Sequence, residues 1–222
     1  MDVNVLTRKL RVLCTRYDVT FGQTTTGSRK QLRFKAADRR KVVLVIHHDA
    51  NDVEYCHAVG YLYDSQYGIR FVDAGAERPR VYDQHMLPDA ERLWTRDRQS
   101  DGVHDFTTCA AFVCVAAHLF CAGMPFQVIR EVFMTSSVLV CNDVICNYMK
   151  TYHPTQFRVM DLSVEETEGG LQAWDMVKNT CGKPWIGCPE KIDKLSRADI
   201  QRNYRARVKA RKNEEDRDED MA

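Results

Sequence analysis

The strongest hydrophobic signal in the chain is the run Ala110 to Phe120, in which only His118 breaks a series of Ala, Val, Leu, Phe and Cys side chains. Eleven residues of that kind without Gly or Pro predict a core helix, opening at Thr107-Thr108-Cys109. Val3 to Tyr17 is different. Its apolar positions Val5, Leu6, Leu10, Leu13 and Cys14 return at helical spacing, as in an amphipathic helix. Val42 to His47 is a nearly continuous apolar run, the pattern of a buried strand. The segments Tyr55 to Tyr63 and Ile69 to Asp73 alternate and flank Asp64-Ser65-Gln66-Tyr67-Gly68, which predicts a hairpin closed by a glycine-containing turn. Arg80 to Gln84 reads as a fourth strand and the Thr-, Gly- and Ser-rich stretch Thr20 to Lys30 as a loop. Pro125 to Met134 and Val138 to Tyr152 read as helices, the second with Val138, Cys141, Ile145 and either Tyr148 or Met149 on one face. No internal repeat is visible.

Chemistry enters at Cys109. A cysteine at the first position of a helix lies at the positive end of the dipole, beside unpaired backbone amides, and both favour thiolate over thiol. Thr107, Thr108 or Asp105 is placed to cap that end. The hairpin supplies the other two groups, with His57 on its first arm and Asp73 closing the second. Side by side, the carboxylate holds the imidazole in the tautomer that takes the thiol proton. His47 and His48 are the nearest rival base, but they end an apolar strand with no acid on a paired arm.

The order His57, Asp73, Cys109, with a strand pair before and a helix starting at the cysteine, resembles the adenain family of adenovirus-type cysteine proteases and the related SUMO-protease group. The resemblance runs through Phe71-Val72-Asp73-Ala74-Gly75, through Cys109-Ala110-Ala111-Phe112-Val113-Cys114, and into Asn147 to Arg158, which is similar to the family's closing helix and tail. It covers residues 1 to 160. It implies an α+β, papain-like fold with a small, mostly antiparallel sheet packed against helices. It also implies peptide-bond hydrolysis through Cys109, His57 and Asp73, viral precursor proteins as substrates, DNA or a peptide as activator, and a place in the host nucleus or the virion. Ala58 follows His57 where the family has an aromatic residue, and Ala110 follows Cys109 where it has glycine. Gly102 stands at the spacing of the family's oxyanion-hole glutamine, leaving Gln99 or His104 as candidate side-chain donors beside the Cys109 backbone amide. No cysteine occurs between Cys56 and Cys109, so the family's activation through a disulfide-linked peptide does not carry over.

Composition narrows the class. A 222-residue chain that is 44% hydrophobic and 28% charged is of globular type, and no apolar run reaches the roughly 20 residues of a membrane span. The charged N-terminal stretch is unlike a signal peptide and the nine cysteines are an odd number, so an intracellular protein with reduced thiols is expected. Cys14, Cys56, Cys141 and Cys146 then pack as small hydrophobes. Cys114, His118 and Cys121 share a helical face, but in so apolar a run they read as core, and no metal is expected.

The net charge of +1 conceals two basic stretches, Arg29 to Lys41 and Lys191 to Lys212, either of which suits a sequence-independent grip on nucleic acid. Past Phe157 the pattern changes. Leu162 to Gly170 reads as an acidic linker, Ala173 to Pro189 carries Trp174 and Trp185, and Glu214 to Asp220 is acidic. The expected organisation is a protease domain over 1–160 and a charged, partly disordered extension over 161–222. Two other functions share these residues: an isopeptidase acting on ubiquitin-like modifiers, and a non-catalytic interaction protein on the same fold.

Overall fold

The apolar residues 42–46 form the heart of a strand in a five-stranded mixed sheet, and the protein is of the α+β class. The computed structural model describes residues 3–26, 32, 34, 38–48, 56–82, 87, 90–102, 106, 108–134, 137–158 and 167–182. In chain order the elements are α1 (Val3–Arg16), β1 (Thr20–Thr25), β2 (Arg40–His48), β3 (Cys56–Asp64), β4 (Gly68–Val72), α2 (Pro79–Tyr82), β5 (Glu91–Arg92), α3 (Cys109–Cys121), α4 (Phe126–Met134), α5 (Val138–Tyr152), α6 (Pro154–Phe157) and α7 (Glu168–Cys181). Strand order follows the sequence, β1-β2-β3-β4-β5. The two inner pairings are antiparallel, while β1 with β2 and β4 with β5 are parallel.

The expected hairpin is β3–β4. Its turn is closed by the Gln66 amide donating to Asp64 Oδ1 at 2.9 Å and by Gly68 at φ +78°, a left-handed conformation that glycine adopts without strain. Alternation along the strands divides two apolar layers. Val42, Leu44, Ile46, Ala58 and Leu62 join the helices in the main core, whereas Val43, Val45, Val59, Tyr61 and Phe71 face the other way. Helix α3, buried from Ala110 to Cys121, lies on β3 and is surrounded by α1, α4, α5 and α7. Helix α1 contributes Leu6, Leu10 and Cys14, one residue per turn.

Three expectations are corrected. Thr20–Thr25 is a strand, because its Thr-rich chain suits extended backbone and β2 offers an open ladder, with Thr20 opposite Lys41 and Thr25 opposite Ile46. Residues 79–82 form one helical turn, its φ preset by Pro79, which leaves Val81 exposed and turns Tyr82 inward; the partner of β4 is β5 instead. Gly169 and Gly170, expected in a linker, lie in the first turn of α7, which buries Trp174, Val177 and Cys181 in the same core as α3. The packed elements therefore run past residue 160. The chain divides into the compact units Met1–Pro184 and Trp185–Ala222. The second lies outside the described residues, together with the basic run 191–212 and the acidic run 214–220.

The start of α7 shows why a glycine is needed there. Buried Asp143 of α5 accepts hydrogen bonds at Oδ2 from the Thr167 amide, 2.9 Å, and the Thr167 hydroxyl, 2.7 Å, while Thr167 Oγ1 caps the Gly170 amide at 3.0 Å. A Cβ on Gly170 would lie 2.6 Å from Asp143 Oδ2 and 2.8 Å from Thr167 Oγ1. Gly170→Ala is therefore expected to destabilise the protein by about 1–3 kcal/mol despite alanine's higher helix propensity. Denaturant unfolding checks this; a variant as stable as the parent would show that α7 does not depend on the close approach to Asp143.

Candidate active site

Strand β4 ends in Val72, and the next residue, Asp73, folds the chain back onto its own carboxylate. Oδ1 accepts from the Gly75 amide at 3.1 Å, and Oδ2 accepts from the Glu77 amide at 2.8 Å and from the Tyr82 hydroxyl at 2.7 Å. The Ala76 amide closes the turn on Asp73 O at 3.1 Å, and its carbonyls are also held from outside, the Trp94 indole N–H donating to Asp73 O and the Arg98 amide to Ala74 O at 2.8 Å. Arg98 is itself buried and donates to Phe133 O at 2.9 Å, which ties this corner to α4. Asp73, with 2% of its surface exposed, is thus a carboxylate whose direction is fixed before any histidine meets it.

His57 meets it from β3. Its Nε2 lies 2.8 Å from Asp73 Oδ1, and its ring stacks on Tyr82 with centroids 5.4 Å apart and planes inclined by 22°. Nδ1 is left for Cys109, whose sulfur is close enough to act on the ring. Burial alone would pull the imidazole pKa down. The hydrogen bonds to Asp73 and Cys109, with the charges behind them, overcome that and raise it to about 10, so His57 is imidazolium at neutral pH. Cys109 shows the complement. Burial pushes its thiol up, but the His57 bond and charge and the amides of Ala58 and Ala110 hold it below the ordinary thiol range.

These amides are a consequence of local structure. Cys109 is the first residue of α3, where Ala110 N–H has no acceptor within the helix, and Ala58 follows His57 on the strand beneath. Of the three expected caps, Thr108 occupies the N-cap position, but its hydroxyl donates back to Phe106 O at 3.3 Å and makes no capping bond. Thr107 and Asp105 lie outside the described residues. The helix end therefore directs amides and dipole at the sulfur without competition from the Thr108 hydroxyl.

The other thiols differ in kind. Burial raises Cys114 and Cys181 to about 12 and Cys141 and Cys146 to about 11. At the far end of α3, His118 lies 3.0 Å from the Tyr148 hydroxyl and 3.4 Å from that of Tyr17, and burial pulls it down to about 4. Both its nitrogens thus face hydroxyls, and Cys121 lies 3.9 Å from Cys14, so the helix face Cys114, His118, Cys121 is packed core. Among the described residues no three His, Cys, Asp or Glu side chains converge as metal ligands. His47, the rival base, lies opposite His57 in the β2–β3 register and bonds Thr26 Oγ1 at 3.1 Å through Nδ1.

The oxyanion candidates are less complete. Gln99 is anchored through its backbone, its carbonyl accepting from Phe106 N at 2.8 Å, and its side-chain Oε1 is buried without a partner. His104 lies outside the described residues. Gly102 has φ +85°, so a glutamine at that position would be strained. Tyr82, which both stacks on His57 and bonds Asp73, was missed from sequence because residues 80–84 read as a strand. The only hint was Pro79 three positions before an aromatic residue. Of the basic stretch 29–41, Arg40 packs over Phe120 at 4.2 Å and pairs with Asp64 at 3.5 Å, and Lys41 pairs with Asp38 at 3.1 Å, so both are engaged within the fold.

No protein-family model, no curated protein and no solved structure matches this chain. Among the described residues no helix is long and apolar enough to cross a membrane.

The thiol contrast has a direct test. Iodoacetamide at pH 6 is expected to alkylate Cys109 far faster than Cys114, Cys141, Cys146 or Cys181, because only the thiolate reacts and an ordinary thiol of pKa about 8.5 is nearly inert there. Peptide mass mapping that finds all of these cysteines labelled at similar rates would show that Cys109 is not activated.

Proposed function

We propose that this chain is a cysteine endopeptidase of the adenain type. The observation that carries the proposal is the buried His57–Asp73 hydrogen bond of 2.8 Å with Cys109 as the ring's other neighbour, an arrangement that holds the ring cationic and the thiol low. The Cys109 thiolate attacks the scissile carbonyl carbon, and His57 gives its Nδ1 proton to the leaving amine, which departs as the thioester forms. His57 then takes a proton from the water that attacks the thioester, and the acid product leaves with the thiolate restored. Asp73 keeps Nε2 protonated and the ring oriented, and Tyr82 holds Asp73 from behind. The Cys109 amide, unpaired at the start of α3, is the main oxyanion donor, with Gln99 as the side-chain candidate. Viral structural precursors cleaved at small-residue sites are the substrate class that the sequence resemblance adds, with the virion or host nucleus as the place of action.

Fluorogenic peptides containing glycine around the scissile bond test the reaction. The parent should turn over and Cys109→Ala should not. The value of kcat/KM is expected to rise as Cys109 loses its proton, hold across the range where thiolate and imidazolium coexist, and fall above about pH 10 as His57 deprotonates. Gln99→Ala should lower kcat about 100-fold with KM little changed. No turnover of any peptide by a correctly folded parent would overturn the proposal. Turnover confined to a ubiquitin-like substrate ending in Gly-Gly would make the protein an isopeptidase.

Nucleic acid joins the proposal as a partner, through Arg29–Lys41 and Lys191–Lys212. Deletion from Leu195 onward is expected to spare peptide cleavage and weaken DNA binding, and binding by the intact chain should fall steeply between about 50 and 200 mM salt. Salt-insensitive or absent binding would remove nucleic acid from the partners.

A further inference from the structure

Strand β5 is only Glu91–Arg92, yet its second residue reaches into the turn that presents Asp73. The register sets Arg92 beside Phe71, on the sheet face where Tyr82 also packs. There its Nη1 donates to Ala76 O at 2.6 Å, a short bond of the charge-assisted kind. The adjacent carboxylate, Glu91, pairs with Arg70 at 3.0 Å, so the Arg92 charge is directed at the turn and not at its neighbour. The next two residues bond the same segment. The Leu93 amide donates to Phe71 O at 2.8 Å and the Trp94 indole to Asp73 O, so the position of Arg92 against the turn is fixed from both chains.

The carbonyl that Arg92 holds belongs to the peptide group whose N–H is that of Glu77, and this N–H donates to Asp73 Oδ2 at 2.8 Å. In a trans peptide the C=O and N–H point in opposite directions across one rigid plane. A single group therefore joins a guanidinium on its outer side to the Asp73 carboxylate on its inner side. A cation on the carbonyl polarises the group and strengthens its N–H as a donor, as in any chain of hydrogen bonds. It also fixes the plane. That matters because Ala76 stands at φ +57°, a left-handed conformation that alanine does not favour by itself. The carboxylate so held gives its other oxygen to His57 Nε2 at 2.8 Å.

We propose that Arg92 is a positioning residue for the Cys109 site, acting through the Ala76–Glu77 peptide group to hold the Asp73 carboxylate on His57. The inference rests on the cysteine-peptidase reading for its effect on turnover, whereas the hold on His57 is a property of the chain without substrate. The Gly75 amide and the Tyr82 hydroxyl still hold Asp73 when Arg92 is replaced, so the expected loss is partial.

An NMR titration of the full chain carrying isotope-labelled histidine tests the assignment, with the His57 signal identified by its loss in His57→Gln. In the parent the ring should titrate near pH 10. In Arg92→Gln the midpoint should fall by about one pH unit, because a carboxylate held less firmly stabilises the imidazolium less. Arg92→Lys keeps a cationic donor and should recover at least half of that fall. If Arg92 acted only as a cation in the neighbourhood of the ring, its removal would raise the midpoint instead. An unchanged midpoint, an upward move, or recovery of less than half in Arg92→Lys would overturn the proposal. Arg92 is half-buried on an edge strand, and circular dichroism checks that both variants fold. On glycine-containing fluorogenic peptides, kcat of Arg92→Gln is expected to be about tenfold lower with KM near that of the parent. A parent that cleaves no peptide overturns the peptidase reading and leaves a shifted midpoint in support of Arg92. A parent that cleaves peptides, with the midpoint unmoved in Arg92→Gln, overturns the role of Arg92 alone.

Discussion

Helix α3 has no polar face, and burying it on every side is the constraint that organises the molecule. One side lies on β3, where Gly60 permits close approach: a Cβ there would stand 3.4 Å from Val113 Cγ1 and from the Val43 carbonyl. The remaining sides are covered by α1, α4, α5 and α7, which contribute Leu10, Ile129, Val144, Ile145 and Val177 to a single apolar cluster. A helix fixed so completely has its first residue fixed as well. Cys109 therefore stands where the Ala58 amide of β3 can reach its sulfur, and the position of that sulfur follows from core packing.

Charge does the rest, and the histidines and cysteines of this one helix region show how. His57 and His118 are both buried, yet the first is raised to about 10 and the second lowered to about 4. His57 has a carboxylate and a thiol as neighbours, whereas His118 meets hydroxyls and aromatic rings, with the Arg16 charge adding to the lowering. Cys109 and Cys114 diverge for the matching reason: one has an imidazolium and two amides, the other has apolar neighbours and is pushed to about 12. Burial acts on all four in the sense that opposes charge, and the sign of each shift is decided by whether a fixed opposite charge is within hydrogen-bond reach.

Fixing that charge takes more chain than the three residues of the line. Asp73 is held by the Gly75 and Glu77 amides and the Tyr82 hydroxyl, and its turn by Trp94 and Arg98, so β4, α2 and the segment that follows β5 all converge on one carboxylate. Ala76, within this turn, takes the left-handed conformation at φ +57°, which costs a non-glycine residue of order 1 kcal/mol and persists because the surrounding bonds impose it.

The sequence alone determined what local pattern can determine. The uninterrupted apolar run Ala110–Phe120 specified a core helix beginning at Cys109, the i, i+4 spacing of Leu6, Leu10 and Cys14 specified the inner face of α1, and two alternating arms around Asp64–Gly68 specified the hairpin that carries His57. His57, Asp73 and Cys109 were legible for the same reason, each standing at the end or start of a strongly patterned element. Tertiary structure decided the rest. A Thr-rich segment became β1 only because β2 offered it a ladder, and a two-residue strand at Glu91–Arg92 carries no periodicity to read. Tyr82 became part of the site because Pro79 wound its segment into one helical turn instead of a strand. Gly169 and Gly170, which read as a linker, entered α7 because Asp143 of another helix accepts the bonds that fix Thr167 at its cap. In each case the deciding partner lies far away in sequence, so the energy that fixes the local conformation is absent from the local pattern.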